Sequence, residues 1–223
     1  MITIAIDGTC ASGKGTIATR LAQELNIVHF DTGAVYRAVG LATIRAGVDP
    51  HDENEVVGLL PSIHIDIQND NGSQITIMNG ENVEQYIRTP QVSDICSITA
   101  TYKAVREWVT AIQRDLASKQ SMVMEGRDIT SVVLPNAKNK FYLDANIDVR
   151  AMRRYTDLKA KGDNITLDEV KSDLIERDQR DKNRELSPLI LLPGVVYIDN
   201  SCQTVDETTL DMLYIIKKNE GLE

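Results

Sequence analysis

No apolar run in this chain approaches the ~20 residues that a helix needs to cross a bilayer, so a helical membrane span is excluded. The amino terminus enters a short apolar, β-branched run directly instead of a secretory signal, and a cytoplasmic protein is expected. Cysteine is scarce. Cys10, Cys96 and Cys202 are odd in number and lack metal-ligand spacing, which points to reduced thiols and to no all-protein metal centre. Positive charge is in deficit as well: 24 Lys and Arg against 33 Asp and Glu leave a formal charge of −9, which argues against a nucleic-acid polymer as partner. A small anion in a local basic pocket stays compatible with that balance. The three histidines, His29, His51 and His64, are scattered and suggest no histidine nucleophile. There is no internal repeat and no low-complexity segment. With 223 residues and 42% hydrophobic content, one compact domain with insertions, expected as a monomer, fits the chain better than two independent domains.

What is present begins with Gly8-Thr9-Cys10-Ala11-Ser12-Gly13-Lys14-Gly15-Thr16, a G-x-x-x-x-G-K loop. It follows the apolar run Ile2 to Ile6 and precedes the amphipathic pattern Ile17, Leu21, Ala22, Leu25. A strand, a tight glycine turn and a helix start in that order make a phosphate cradle: backbone N–H groups face phosphate oxygens, the helix offers its positive end, and Lys14 adds a point charge. A nucleoside triphosphate is therefore the expected ligand. Gly15 occupies the position after the lysine and the hydroxyl comes one residue later, at Thr16, so direct magnesium ligation by the loop is less firmly indicated than nucleotide binding. Cys10 reads as a small filler within the loop.

Apolar runs at Ile2 to Ile6, Val28 to Phe30, Met122 to Met124, Phe141 to Leu143 and Val195 to Ile198 alternate with helical patterns. The expected fold is α/β: a five-stranded, doubly wound parallel sheet with helices on both faces. Helices are expected over 15–25, 33–46, 102–119, 148–161, 166–182 and 205–218, with Thr166 and Glu169 forming a capping box. From Ile63 to Val83 the period switches to alternation through Ile63, Ile65, Ile67, a turn at Asn69-Asp70-Asn71-Gly72, then Ile75 and Ile77, which predicts a small antiparallel insertion. Lys159 to Asn164 is a polar hinge. Tyr102 and Trp108 are assigned to packing.

Two further groups fall at strand ends, where open α/β sheets bind ligands. Asp31-Thr32-Gly33-Ala34-Val35-Tyr36-Arg37 offers a carboxylate, a hydroxyl and an arginine suited to a second phosphate, although Asp31 and Thr32 also suit a helix cap. Met124-Glu125-Gly126-Arg127-Asp128 offers Glu125 for magnesium through water, Arg127 as a phosphate fork and Asp128 as an acceptor for an amino group; a surface Arg127–Asp128 ion pair is the plain alternative. Arginines 127, 150, 153, 154, 177, 180 and 184 suggest phosphate clamping, and helical spacing puts Arg177, Asp181 and Arg184 on one face; a solvated helix with internal salt bridges is the plain alternative.

Gly8 to Thr16, Asp31 to Arg37, the insertion after Ser62, Ile87-Arg88-Thr89, Lys103 to Arg106, Gly126 to Pro135, Arg177 to Leu189 and Ile198 to Ser201 together resemble the bacterial cytidylate kinases over nearly the whole chain. The resemblance implies a P-loop NTPase fold with a short helical lid, and magnesium-dependent transfer of the γ-phosphate of ATP to CMP or dCMP. It implies a single nucleoside-monophosphate kinase domain over 1–223, with core 1–31, 121–147 and 183–223, a monophosphate-binding region at 32–120 (insertion about 63–88) and a lid at about 148–182. Carried over residue by residue, Ser97, Arg106 and Asp128 read the cytosine edge, Arg37, Arg127 and Arg184 meet or flank the acceptor phosphate, and Arg177 with Asp181 meets the sugar. Lys14, Arg127, Arg153 and Arg184 are the implied catalytic groups. Arg150, Arg153 and Arg154 open the lid. Thr32 stands where the family commonly has serine, which leaves the ribose-to-deoxyribose balance open.

Overall fold

Strand β1 (Thr3–Gly8) buries Ile4, Ala5 and Ile6 completely, as a strand covered on both faces must, and delivers the chain to helix α1 (Lys14–Leu25). The computed structural model describes residues 1–70 and 73–222; the Asn71-Gly72 portion of the expected turn lies outside the described residues. After α1 come β2 (Val28–Asp31), α2 (Thr32–Ala46), α3 (Glu53–Leu59), β3 (Ile65–Asp70), β4 (Ser73–Met78), β5 (Glu81–Asn82), α4 (Pro90–Thr99) and α5 (Lys103–Ala117). The chain continues through β6 (Met122–Gly126), β7 (Asn139–Asp144), α6 (Ile147–Ala160), α7 (Leu167–Asn183), β8 (Val196–Asp199) and α8 (Val205–Glu220).

Five strands form a parallel sheet in the order β2-β6-β1-β7-β8. Because the chain runs outward from β1 to one edge and then returns to build the other, right-handed crossovers place helices on both faces and leave a topological switch at the end of β1. The loop after that strand is the glycine-rich one. A second, antiparallel sheet, β3-β4-β5, is the insertion, with β3 and β4 paired from Ile65 opposite Met78 to Asp70 opposite Ser73.

The chain divides into two compact units, Met1–Asn26 with Val123–Glu223, and Ile27–Met122. In the first, Ile17 and Leu21 of α1 and Phe141 and Leu143 of β7 are fully buried, and α1 packs on α8. In the second, α2 packs on α4 and on β4, burying Val35, Val39 and Val92.

The capping box at Thr166 and Glu169 is present, and Thr204 with Glu207 forms a second one at the start of α8. Helices α3 and α4 were not expected, though their start signals are local. Asp52 caps α3 by accepting from Glu55 N–H (3.1 Å), and Thr89 caps α4 ahead of Pro90 by accepting from Val92 N–H (3.3 Å). Residues Ile129–Val133 form a single π-helical turn closed by Val133 N–H to Asp128 C=O (3.1 Å) and Leu134 N–H to Ile129 C=O (2.7 Å). Such turns are rare and frequently mark functional sites.

Candidate active site

The loop between β1 and α1 is curled by left-handed backbone at Ala11 (φ 59°) and Gly13 (φ 91°). Gly13 is the N-cap of α1 and brings no side-chain cap, so the first N–H groups of that helix stay available to an anion. Ser12 Oγ and Lys14 Nζ both donate to Thr9 C=O, at 3.0 and 2.6 Å. Contacts from outside hold the loop. Thr9 Oγ1 donates to Asp144 Oδ1 at the end of β7 (2.5 Å), Asn200 Nδ2 donates to Ser12 C=O (2.9 Å), and Cys10 N–H donates to Asp178 Oδ1 on α7 (3.0 Å).

Cations gather around this loop. Lys14 is buried, and that burial together with the nearby Arg127 lowers its ammonium from 10.5 to about 8, against the pull of Glu125. Burial pushes the Cys10 thiol up, but Arg177, Arg127 and Lys14 together outweigh it and leave the thiol below its ordinary value. Arg153 donates to Asn200 through both terminal guanidinium nitrogens, Nη1 to Oδ1 (3.1 Å) and Nη2 to the carbonyl (3.0 Å), which holds it beside the loop: a Cβ at Gly13 would lie 4.0 Å from Arg153 Nη1. A Cβ on Gly15 would lie 3.4 Å from Glu125 Oε1, so the end of β6 sets that carboxylate against the start of α1.

Arg127 pairs with Asp181, not with its neighbour Asp128. Its Nε donates to Asp181 Oδ2 at 2.6 Å, and Asp181 also faces Arg184 Nη1 at 3.8 Å. Burial opposes ionisation of Asp181, yet Arg127, Arg184 and Arg177 hold its carboxyl below the usual range. Arg184 departs from the expected helical face, because α7 ends at Asn183. Arg184 is the extended C-cap residue (ψ 142°), and its Nε donates to Ser187 C=O (2.6 Å). Three residues beyond Asp181, it still reaches that carboxylate by local spacing.

Asp128 is buried, and its carbonyl accepts from Val132 N–H at 2.8 Å as the π turn begins. Asp7, a carboxylate inside the apolar strand β1, anchors that turn by accepting from Ile129 N–H (2.8 Å), Thr130 N–H (2.7 Å) and Thr130 Oγ1 (2.6 Å). Burial pushes its carboxyl above the ordinary range although these bonds pull the other way. Sequence reasoning missed Asp7, Asp144 and Asp178. The only signal was a charge where the pattern calls for an apolar residue, as at Asp7. Arg150, expected among the phosphate-clamping arginines, is a buried partner of Asp178 (2.6 Å) and of two carbonyls.

In the second unit, Asp31 occupies the N-cap position of α2 without a side-chain cap bond. Its carboxylate pairs instead with Arg37 Nη2 at 2.6 Å and faces Arg88 Nη1 at 3.5 Å; burial would raise it, but these arginines hold it below the usual range. Gln74 of the insertion accepts from Asp31 N–H (2.7 Å) and donates to Asp31 C=O (3.3 Å). Thr32 is buried at the start of α2. Arg106 lies over the Tyr36 ring, 5.4 Å from its centroid, and donates to Ala100 C=O (3.0 Å), while Ser97 Oγ on α4 donates to Ser93 C=O (3.0 Å). Tyr102 is structural, as expected, its hydroxyl donating to Pro50 C=O (2.7 Å).

A family model described as cytidylate kinase matches residues 4–218. A cytidylate kinase of Caldicellulosiruptor bescii is 39% identical over 222 residues, covering 98% of this chain and 98% of that relative. One of Geobacillus kaustophilus is 39% identical over 220 residues, covering 99% and 98%. Among solved structures, an uncharacterized protein from Eubacterium ventriosum shares the fold with a TM-score of 0.55 at 13% identity, covering 97% of this chain and 99% of its own.

Proposed function

The chain belongs to the cytidylate kinase family, and on that footing we propose how its residues divide the work. The protein is a phosphotransferase that moves the γ-phosphate of ATP to CMP or dCMP. The observation that carries the residue-level reading is the loop Gly8 to Thr16, with Lys14 buried in it and Arg127 and Arg153 held beside it. Phosphoryl transfer spreads charge over the moving group, so positioned cations supply most of the barrier reduction. Lys14 and the loop N–H groups bind the donor phosphates, and Arg127, Arg153 and Arg184 neutralise the transferred group. Arg177 and Asp181 meet the acceptor sugar. Thr32, Arg37, Ser97 and Arg106 serve the acceptor nucleotide, and Asp128 accepts from the exocyclic amine of cytosine.

Magnesium fits the donor set. Mg²⁺ takes one or two carboxylates beside substrate phosphates and water, and Glu125 lies against Gly15 while the Thr16 side is exposed. Glu125, through water, and Thr16 would hold the ion, which would neutralise charge on the phosphates of the bound nucleotide. No described helix is long and apolar enough to cross a membrane. A cytoplasmic monomer with one kinase domain, its core, monophosphate region and lid bounded as expected above, completes the proposal.

Asp128→Ala tests the base contact. It is expected to reduce kcat/KM for CMP by about 1 to 3 kcal/mol while leaving ATP affinity nearly unchanged. Equal losses for both nucleotides, or faster turnover of UMP than of CMP by the unaltered enzyme, would contradict the assignment.

Lys14 gives a pH signature. Its folded-state value of about 8 lies below the ordinary 10.5, so kcat/KM for ATP, which reports the free enzyme, should fall as pH rises through about 8. Bound phosphates favour the ammonium, so the corresponding fall in kcat should lie at higher pH. Stability moves oppositely: between these two values the unfolded chain holds the extra proton, so unfolding free energy rises with pH there. A flat kcat/KM profile for ATP across that window would remove Lys14 as the titrating donor contact.

A further inference from the structure

Cys10, at the crest of the phosphate loop, has both of its main-chain polar groups gripped by one buried ion pair. Its N–H donates to Asp178 Oδ1 (3.0 Å), its carbonyl accepts from Arg150 Nη1 (3.0 Å), and that same nitrogen donates to Asp178 Oδ2 (2.6 Å). Arg150 Nε is committed to Ala145 C=O (2.8 Å), which removes the remaining freedom of the guanidinium plane. Arg150 comes from α6 and Asp178 from α7, and they are only 6% and 7% exposed. Cys10 and Ala11 also pack against the apolar cluster Ala151, Val170 and Leu174 that joins these two helices.

A buried ion pair contributes little net stability, because desolvation offsets most of its Coulomb attraction. Its effect here lies in what it holds. Ala11, the next residue, sits at φ 59°, a conformation that costs a residue with a Cβ free energy and persists only where surrounding contacts enforce it. The motif itself does not enforce it, since positions 10 and 11 are unconstrained places between the two loop glycines.

We propose that Arg150 and Asp178 are positioning residues for the donor nucleotide: they lock the Cys10–Ala11 corner so that the loop N–H groups converge on phosphate, and they make α6 and α7 rigid supports of the donor site. The proposal rests on the kinase reading above. It assigns a donor-side role to two residues whose polar groups bond the loop main chain and each other, one of them an arginine whose sequence context suggests a phosphate contact.

The decisive variant replaces both partners, Arg150→Met with Asp178→Leu, because exchanging a buried pair for apolar groups of similar size keeps the fold while removing both grips on Cys10. Calorimetric titration with ATP alone, KM for ATP and for CMP, and Tm are measured on the full chain. ATP binding is expected to weaken by about tenfold, with KM for CMP within about twofold of the parent, while Tm falls by a few degrees because Ala145 C=O and both main-chain polar groups of Cys10 lose their partners. A second variant, Arg150→Lys, keeps the charge but loses the planar fork, and is expected to weaken ATP binding by about threefold with CMP again unaffected. ATP affinity unchanged in either folded variant, or KM rising equally for both nucleotides, overturns the proposal. If the parent enzyme fails to phosphorylate CMP, the kinase reading fails instead, whereas calorimetry with ATP still judges the clamp.

Discussion

Lys14→Ala is expected to lower kcat by about 10²- to 10³-fold with every acceptor, the range seen when one preorganised donor to developing charge is removed. Lys14 Nζ lies 2.6 Å from Thr9 C=O and 3.4 Å from Ser12 Oγ, so the ammonium sits within the curl of the loop at the start of α1. Its removal leaves Thr9 C=O still accepting from Ser12 Oγ at 3.0 Å, so the loop keeps a satisfied main chain. Burial depresses the Lys14 ammonium to about 8, which means that its charge works against folding near neutral pH. The alanine variant should therefore melt no lower than the parent while losing transfer to CMP and dCMP alike. Steady-state rates with both acceptors, read beside Tm, check this; a variant retaining most of its rate would show that the γ-phosphate is met by another group.

Gly8→Ala should be the most destabilising single methyl in the first unit. An added Cβ would fall 1.9 Å from Leu143 C=O oxygen, 2.9 Å from its carbon and 3.1 Å from its nitrogen, with φ at +153°. All three obstacles are backbone of β7, opposite Gly8 in the β1–β7 register, so no side chain can swing aside. The strand must separate or the loop must move. A cost beyond about 4 kcal/mol is expected, enough to lower Tm by more than about 8 °C in a chain of this size. Gly162→Ala is the control: its φ is also positive, at +87°, but nothing lies within 4 Å, and a cost of only about 1 kcal/mol is expected. Thermal unfolding compares the two, and a Gly8→Ala protein melting with the control would show that β7 yields at Leu143.

Much of the fold was legible because its signals are local. The continuous apolar run of β1, the amphipathic stripe of α1 and the Thr166–Glu169 capping box each need only a few consecutive residues. The signals for α3 and α4 were equally local. Those helices escaped because their apolar periodicity is short, so the caps at Asp52 and Thr89 stood without a stripe behind them.

The amino-acid sequence alone therefore determined the phosphate loop, its lysine and the strand that presents it, since glycine conformations and a charge at fixed spacing act over one turn of chain. Only the tertiary structure decided which charges meet. Arg127 reaches Asp181 across 54 residues, Asp7 reaches Thr130 across 123, and Cys10 reaches Asp178 across 168. The sequence offers Arg127 an adjacent carboxylate and Arg150 a run of fellow cations. Partner choice belongs to the packed fold, because in a buried site a charge is stabilised by whatever opposite group the sheet and helices bring within hydrogen-bond reach, and separation along the chain does not enter that energy.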